Sequence, residues 1–133
     1  MIDELSRTTL LVADRDEAVA FYVDVLGFEV VWTGEGTNGA RTVHVGLPGQ
    51  PTVGLWLVEA TTDRQRALVG EQTGDVPAFV FYTDDCLGTY ETLRERGVEF
   101  RGEPIPKDGS VVVEFEDCYG NVAVLVELTA ASG

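Results

Sequence analysis

The chain is short of lysine, histidine and cysteine, and each shortage narrows what it can do. Of nine basic residues only Lys107 is a lysine, and Arg7, Arg15, Arg41, Arg64, Arg66, Arg94, Arg96 and Arg101 are scattered along 133 residues. A phosphate backbone has to be met by clustered Lys and Arg, so no nucleic-acid partner is expected. Anionic membranes are disfavoured on the same ground. His44 is the sole histidine, which excludes any single-chain metal site built on two imidazoles. Cys86 and Cys118 sit in no CxxC and beside no histidine, and read as reduced thiols. No apolar run approaches the roughly 18 to 20 residues of a membrane span. The opening Met1-Ile-Asp-Glu-Leu-Ser-Arg7 has neither the basic nor the apolar segment of a secretion signal. A cytoplasmic location is expected.

What the chain has in excess is acid. Nine basic against 23 acidic residues leave a net charge of −14. With 44% hydrophobic residues, 24% charged residues and a mean hydropathy of +0.05, the composition is otherwise that of a globular domain. At 14.4 kDa it is long enough to bury a core without disulfide or metal staples. Such a surface suits a salty cytoplasm, because at ~1 M salt the screening length falls to about 3 Å. A merely acidic protein from a GC-rich genome, with Arg in place of Lys, is the alternative. The same charge draws basic ligands and speeds their arrival.

The sequence repeats itself. Residues 8–34 lie without a gap on residues 78–104 at an offset of 70, with Asp14 on Asp84, Gly27 on Gly97 and Glu29 on Glu99. Each copy runs from an apolar stretch through an acidic turn into a segment of helical periodicity that ends at Gly. In the first, Val19, Tyr22, Val23 and Leu26 recur at helical spacing; in the second, Leu87, Tyr90 and Leu93 do. Strand-like segments follow at residues 28–33, 41–46 and 52–59, and again at 98–102, 110–116 and 121–128. They are separated by the turn-rich stretches 34–39, 47–51, 103–109 and 117–120. The order is βαβββ twice: one domain over residues 1–133, with modules 7–59 and 77–128. The linker 60–76 has a short helix expected around 64–69.

Tandem βαβββ modules with the phrase Phe21-Tyr22-Val23-Asp24-Val25-Leu26-Gly27-Phe28 closely resemble the vicinal oxygen chelate superfamily. That group includes glyoxalase I, extradiol dioxygenases, and the fosfomycin and bleomycin resistance proteins. Phe115-Glu116-Asp117-Cys118-Tyr119-Gly120-Asn121 looks like the family's F-x-D-P-x-G-N turn, with Cys118 where proline is usual. The resemblance covers about residues 7–128. It implies an α+β fold in which two tandem βαβββ modules form curved mixed sheets around a cup-shaped cavity. In the metal-dependent members a divalent ion sits in that cup, held by His or Gln on the opening strands and Glu on the closing strands.

Here those positions fall on Thr8 and Ala78, and on Trp56 and Val124. None is a competent ligand, so neither a metal nor any other cofactor is expected. Glu59 and Glu127 lie three residues further on, and an odd shift in a strand turns them to the opposite face. The replacements read as an apolar, aromatic floor suited to a small organic molecule, with Trp56 able to stack on a planar ring and Trp32 and Tyr82 nearby. His44, with Glu114 on the corresponding strand of the second module, is the candidate proton-transfer pair. The resemblance thus implies a metal-free binding protein like the bleomycin resistance proteins, acting as a homodimer on an organic ligand. The alternative is a glyoxalase-like lyase, isomerase or dioxygenase with displaced metal ligands or a His44/Glu114 pair, so whether it is an enzyme stays open.

Overall fold

The computed structural model of the chain describes residues 1–36, 39–50 and 52–129. Thr37, Asn38 and Pro51, in two of the expected turns, lie outside the described residues. The chain divides into two compact units, Met1–Gln72 and Thr73–Gly133, and the architecture is α+β.

The first unit opens with β1 (Arg7–Val12) and a helix that is α-helical over Arg15–Val19, here α1, and π-helical over Ala20–Val25. Strands β2 (Glu29–Glu35), β3 (Arg41–Gly46) and β4 (Gly54–Glu59) and the short α2 (Asp63–Leu68) follow. The sheet order is β1-β4-β3-β2, with β1 parallel to β4 and the other pairs antiparallel. Alternation along the strands sorts the residues into two faces. Leu10, Val12, Val43, Val45, Leu55 and Leu57 are all buried, as are Ala18 and Tyr22 of the helix that covers them. Arg7, Thr9, Thr42, His44, Gly54, Trp56 and Trp32 occupy the other face.

The second unit repeats the plan with β5 (Phe79–Tyr82), α3 (Cys86–Glu95), β6 (Glu99–Phe100), β7 (Ile105–Pro106), β8 (Ser110–Glu116) and β9 (Val122–Leu128). Its sheet runs β5-β9-β8-β6, with β7 also paired to β8. Val113, Phe115, Ala123 and Leu125 are buried on the helix side with Cys86, Tyr90 and Leu93. Phe100 meets Tyr90 edge-on at 4.7 Å between ring centres, which closes one end of this core.

The two halves repeat with one residue less regularity than the sequence offset predicts. Asp14 caps the first helix by accepting from the Glu17 N–H at 2.9 Å, and Asp85, not Asp84, caps α3 by accepting from the Gly88 N–H at 2.9 Å. Both helices end at a glycine of positive φ, Gly27 at +88° and Gly97 at +90°. The first helix therefore spans one residue more between its cap and its glycine. It takes up the extra residue as a π turn, in which the Leu26 N–H donates to the Phe21 carbonyl at 3.0 Å. Upstream of the caps the true offset is 71. A second irregularity is a bulge between Val30 and Trp32 in β2.

The expected strand 98–102 is only Glu99–Phe100, because Gly102 turns the chain at a φ of +119° and β7 forms beyond it. Within the expected linker, α2 spans Asp63–Leu68, one residue earlier than predicted. Gln72 belongs to the first unit. Its side-chain amide accepts from the Leu11 N–H and donates to the Thr9 carbonyl, both at 2.9 Å, occupying the free edge of β1.

The family-like turn is structural. Asp117 Oδ1 accepts from the backbone N–H groups of Tyr119 and Asn121, Oδ2 accepts from Asn121 Nδ2 at 2.8 Å, and Gly120 supplies the positive φ. Glu59 and Glu127 also have architectural duties. Each accepts from a helix's first backbone N–H, Arg15 at 2.9 Å and Cys86 at 2.8 Å, tying the closing strand to the helix start.

Candidate ligand-binding face of the first sheet

Strand register brings Thr9, Trp56, His44 and Trp32 into one row across the first sheet, on the face away from the helix. Three expected site residues, Trp32, His44 and Trp56, are thus neighbours. Thr8 is not. It stands opposite Leu55, on the helix side: counting back from Val12-Ala13-Asp14 lands one residue beyond Thr9, and a one-residue slip in a strand reverses the face. Thr9 holds the place assigned to it.

In the second sheet the matching row is Val80, Val124 and Glu114. Ala78, whose N–H donates to the Val122 carbonyl, and Tyr82 flank Val80 on the same face. Tyr82 is strongly exposed and lines a shallow groove with Thr83, Asp84 and Leu128. Ala78, Tyr82, Glu114 and Val124 therefore share one face of their own unit.

The first-sheet row is chemically uneven. His44 is only 6% exposed, yet among the described residues its Nε2 has no hydrogen-bond partner, and neither does the buried Nε1 of Trp56. Polar atoms in such positions are nearly always paired, so two adjacent exceptions mark a place where a partner is missing. Gly54 makes the arrangement feasible. A side chain there would collide with the Val45 carbonyl oxygen and come within 3.0 Å of His44 Nε2. Gly34 has the same relation to Trp32, whose indole lies across it.

Arg7 was not foreseen as part of this site. Its guanidinium carbon lies 5.3 Å from the centre of the Trp56 ring and 5.5 Å from that of Trp32, a cation–π contact with both. Burial, and then the positive charge of Arg7, hold His44 below the ordinary imidazole range, so the ring is neutral at neutral pH. The alternation Arg7, Thr9, Leu11 was the available signal, hidden by the slipped register.

The residues present do not fit a divalent ion. Restoring the register puts Thr9 in place of Thr8 and Val80 beside Ala78, while Trp56 and Val124 keep the closing-strand places. None of these brings a carboxylate, imidazole or thiolate. Among the described residues no three His, Cys, Asp or Glu side chains group as a metal site would require.

The sequence profile described as the Glyoxalase/Bleomycin resistance protein/Dioxygenase superfamily matches residues 4–125. A protein of Shewanella frigidimarina is 33% identical over 129 residues, covering 96% of either chain. Among solved structures, UcmS2 is 30% identical with a TM-score of 0.82, over 96% of this chain and 99% of that one. TnmS3, an antibiotic-binding protein from a Streptomyces species, is 26% identical with a TM-score of 0.78, over 96% and 98%. The profile spans nearly the whole length, and the βαβββ units, the Gly27 exit and the Asp117–Asn121 turn are all in place; the chain belongs to the Glyoxalase/Bleomycin resistance protein/Dioxygenase superfamily.

Proposed function

We propose that this protein binds a planar organic molecule on the face of the first sheet that carries Trp32, His44 and Trp56, and performs no chemistry on it. One observation carries the reading: two adjacent buried nitrogens, His44 Nε2 and Trp56 Nε1, lack partners among the described residues beside two indole rings. Indoles supply stacking surface, and unpartnered nitrogens supply the few polar points that fix a ligand's orientation. The likeness to an antibiotic-binding protein supports the same class. Ala78, Tyr82, Glu114 and Val124 share the corresponding sheet face of the second unit. The state is metal-free and cytoplasmic, with no nucleic-acid or membrane partner. The assembly is a homodimer, as the resemblance implies.

The proton-transfer alternative rests on His44 and Glu114. A guanidinium beside a buried imidazole weakens it as a base, which favours binding over catalysis.

Titration of the full chain with a panel of planar aromatic compounds, followed by tryptophan fluorescence and calorimetry, tests the proposal. Binding by at least one compound, weakened about tenfold or more by Trp56→Ala, is the expected result. Conversion of a bound compound to product, or binding indifferent to both Trp56→Ala and Trp32→Ala, would overturn it.

A further inference from the structure

Three nitrogen-bearing side chains of this face, Arg7, His44 and Trp56, leave nitrogens without a hydrogen-bond partner among the described residues. The Arg7 guanidinium presents five N–H donors and forms no hydrogen bond or ion pair among the described residues, although the chain carries 23 acidic side chains. Glu29 ends the row that Arg7 begins, with Gly54 and Gly46 between them, and it makes no ion pair with Arg7. The Trp56 indole can only donate. His44 Nε2 donates in one neutral tautomer.

Resting on the binding reading above, we infer that the ligand supplies the missing acceptors as an anion, and that the site selects a planar aromatic carboxylate. Its ring stacks on Trp56 and Trp32, and its carboxylate takes paired hydrogen bonds from the Arg7 guanidinium and one from Trp56 Nε1. Arg7 is then the specificity-determining residue. A guanidinium suits the role better than an ammonium, because its flat fork matches both oxygens of a carboxylate and stacks on indole at the same time. The two cation–π contacts hold the fork in place before the ligand arrives. In a protein of net charge −14, a stray anion is repelled at long range, so retention of an anionic ligand falls to this one positive group.

The test compares naphthoate, naphthamide and naphthylmethylammonium, one ring system bearing negative, neutral and positive groups, by calorimetry on the full-length protein. Naphthoate is expected to bind about tenfold or more tighter than naphthamide, with the ammonium weakest. Arg7→Gln should erase the preference, and Arg7→Lys should keep part of it. The inference fails if the amide or the ammonium binds wild type as tightly as the acid, or if Arg7→Gln keeps the preference; naphthamide binding in that case leaves the proposed function standing. If none of the three binds while another planar compound of the panel does, the inference fails and the proposed function stands; if no compound of the panel binds, both fail. Should Arg7→Gln not fold, as judged by circular dichroism, the comparison of Arg7→Lys with wild type decides: an unchanged acid-to-amide ratio overturns the inference.

Discussion

His44 and Trp56 stand directly opposite each other across β3 and β4, and each leaves one buried nitrogen without a partner among the described residues. Each such nitrogen carries the desolvation cost of a polar group, about 1–3 kcal/mol, with no hydrogen bond to offset it. On the proposed binding reading, a ligand on this face would offset that cost.

His44 is the sole histidine, so its titration can be followed by NMR without assignment work. Because burial and Arg7 hold the folded-state value below the ordinary 6.5, the unfolded chain takes up its proton first as the pH falls. The stability associated with neutral His44 is complete above 6.5 and is lost as the pH drops toward the folded-state value. His44→Gln should flatten that part of the wild-type stability profile, and Arg7→Ala should move the His44 titration upward. An Arg7→Ala titration at or below the wild-type midpoint would contradict the contact between them.

Gly54→Ala should be among the most damaging single changes in the first unit. The added methyl meets the Val45 carbonyl and crowds His44 Nε2, and backbone cannot move aside as a side-chain tip can. We expect a loss of about 3 kcal/mol, the upper range for overpacking, read as a shifted denaturation midpoint. Gly34→Ala first meets the half-exposed Trp32 ring and should chiefly alter tryptophan emission.

The Asp117 carboxylate holds its turn through three hydrogen bonds and is itself buried. Asp117→Ala strands two backbone N–H groups and should cost about 3 kcal/mol. Gln72→Ala, which uncovers the edge of β1, should cost about 1–2 kcal/mol. Chemical denaturation of each variant checks both figures.

Glu59 and Glu127 separate a structural role from a ligand role. Glu127→Ala removes the acceptor at the start of α3 and should cost about 1 kcal/mol, the usual value of a lost cap, with ligand affinity unchanged. Addition of Ni²⁺, Co²⁺, Zn²⁺, Fe²⁺ or Mn²⁺ to protein purified without a chelator should leave its thermal midpoint where it was. A metal held at 100 times its dissociation constant would add about 2.7 kcal/mol, so a stoichiometric site would be plain.

Much of this was readable from the residues. Tyr22, Gly27 and Phe28 announced the first module because a buried ring, a left-handed exit and a strand start need those types in that order. Trp56 is legible by counting back from Glu59 along the closing strand, His44 as the sole histidine, and Trp32 as an aromatic on a neighbouring strand. Thr8 and Thr9 are identical neighbours, so counting back from Asp14 does not tell which of them faces away from the helix; the offset of 70 then lands on Ala78 because Asp84 and Asp85 are adjacent and either can cap, while a π turn leaves no mark in the hydrophobic period. Arg7 went unnoticed because a lone arginine at a strand's start looks like any solvated charge; only its aim across β4 toward Trp32 distinguishes it.

The π turn also explains how two halves of unequal spacing keep the same architecture. With Asp14 pinning one end of the helix, Gly27 fixing the other and Glu59 clasping its first amide, an inserted residue has nowhere to go but into a widened turn. The strands on either side keep their pairing, so the row from Thr9 to Trp32 is insulated from the length of the helix behind it. Helix length and ligand-face composition can therefore drift independently in this fold, one on each side of the sheet.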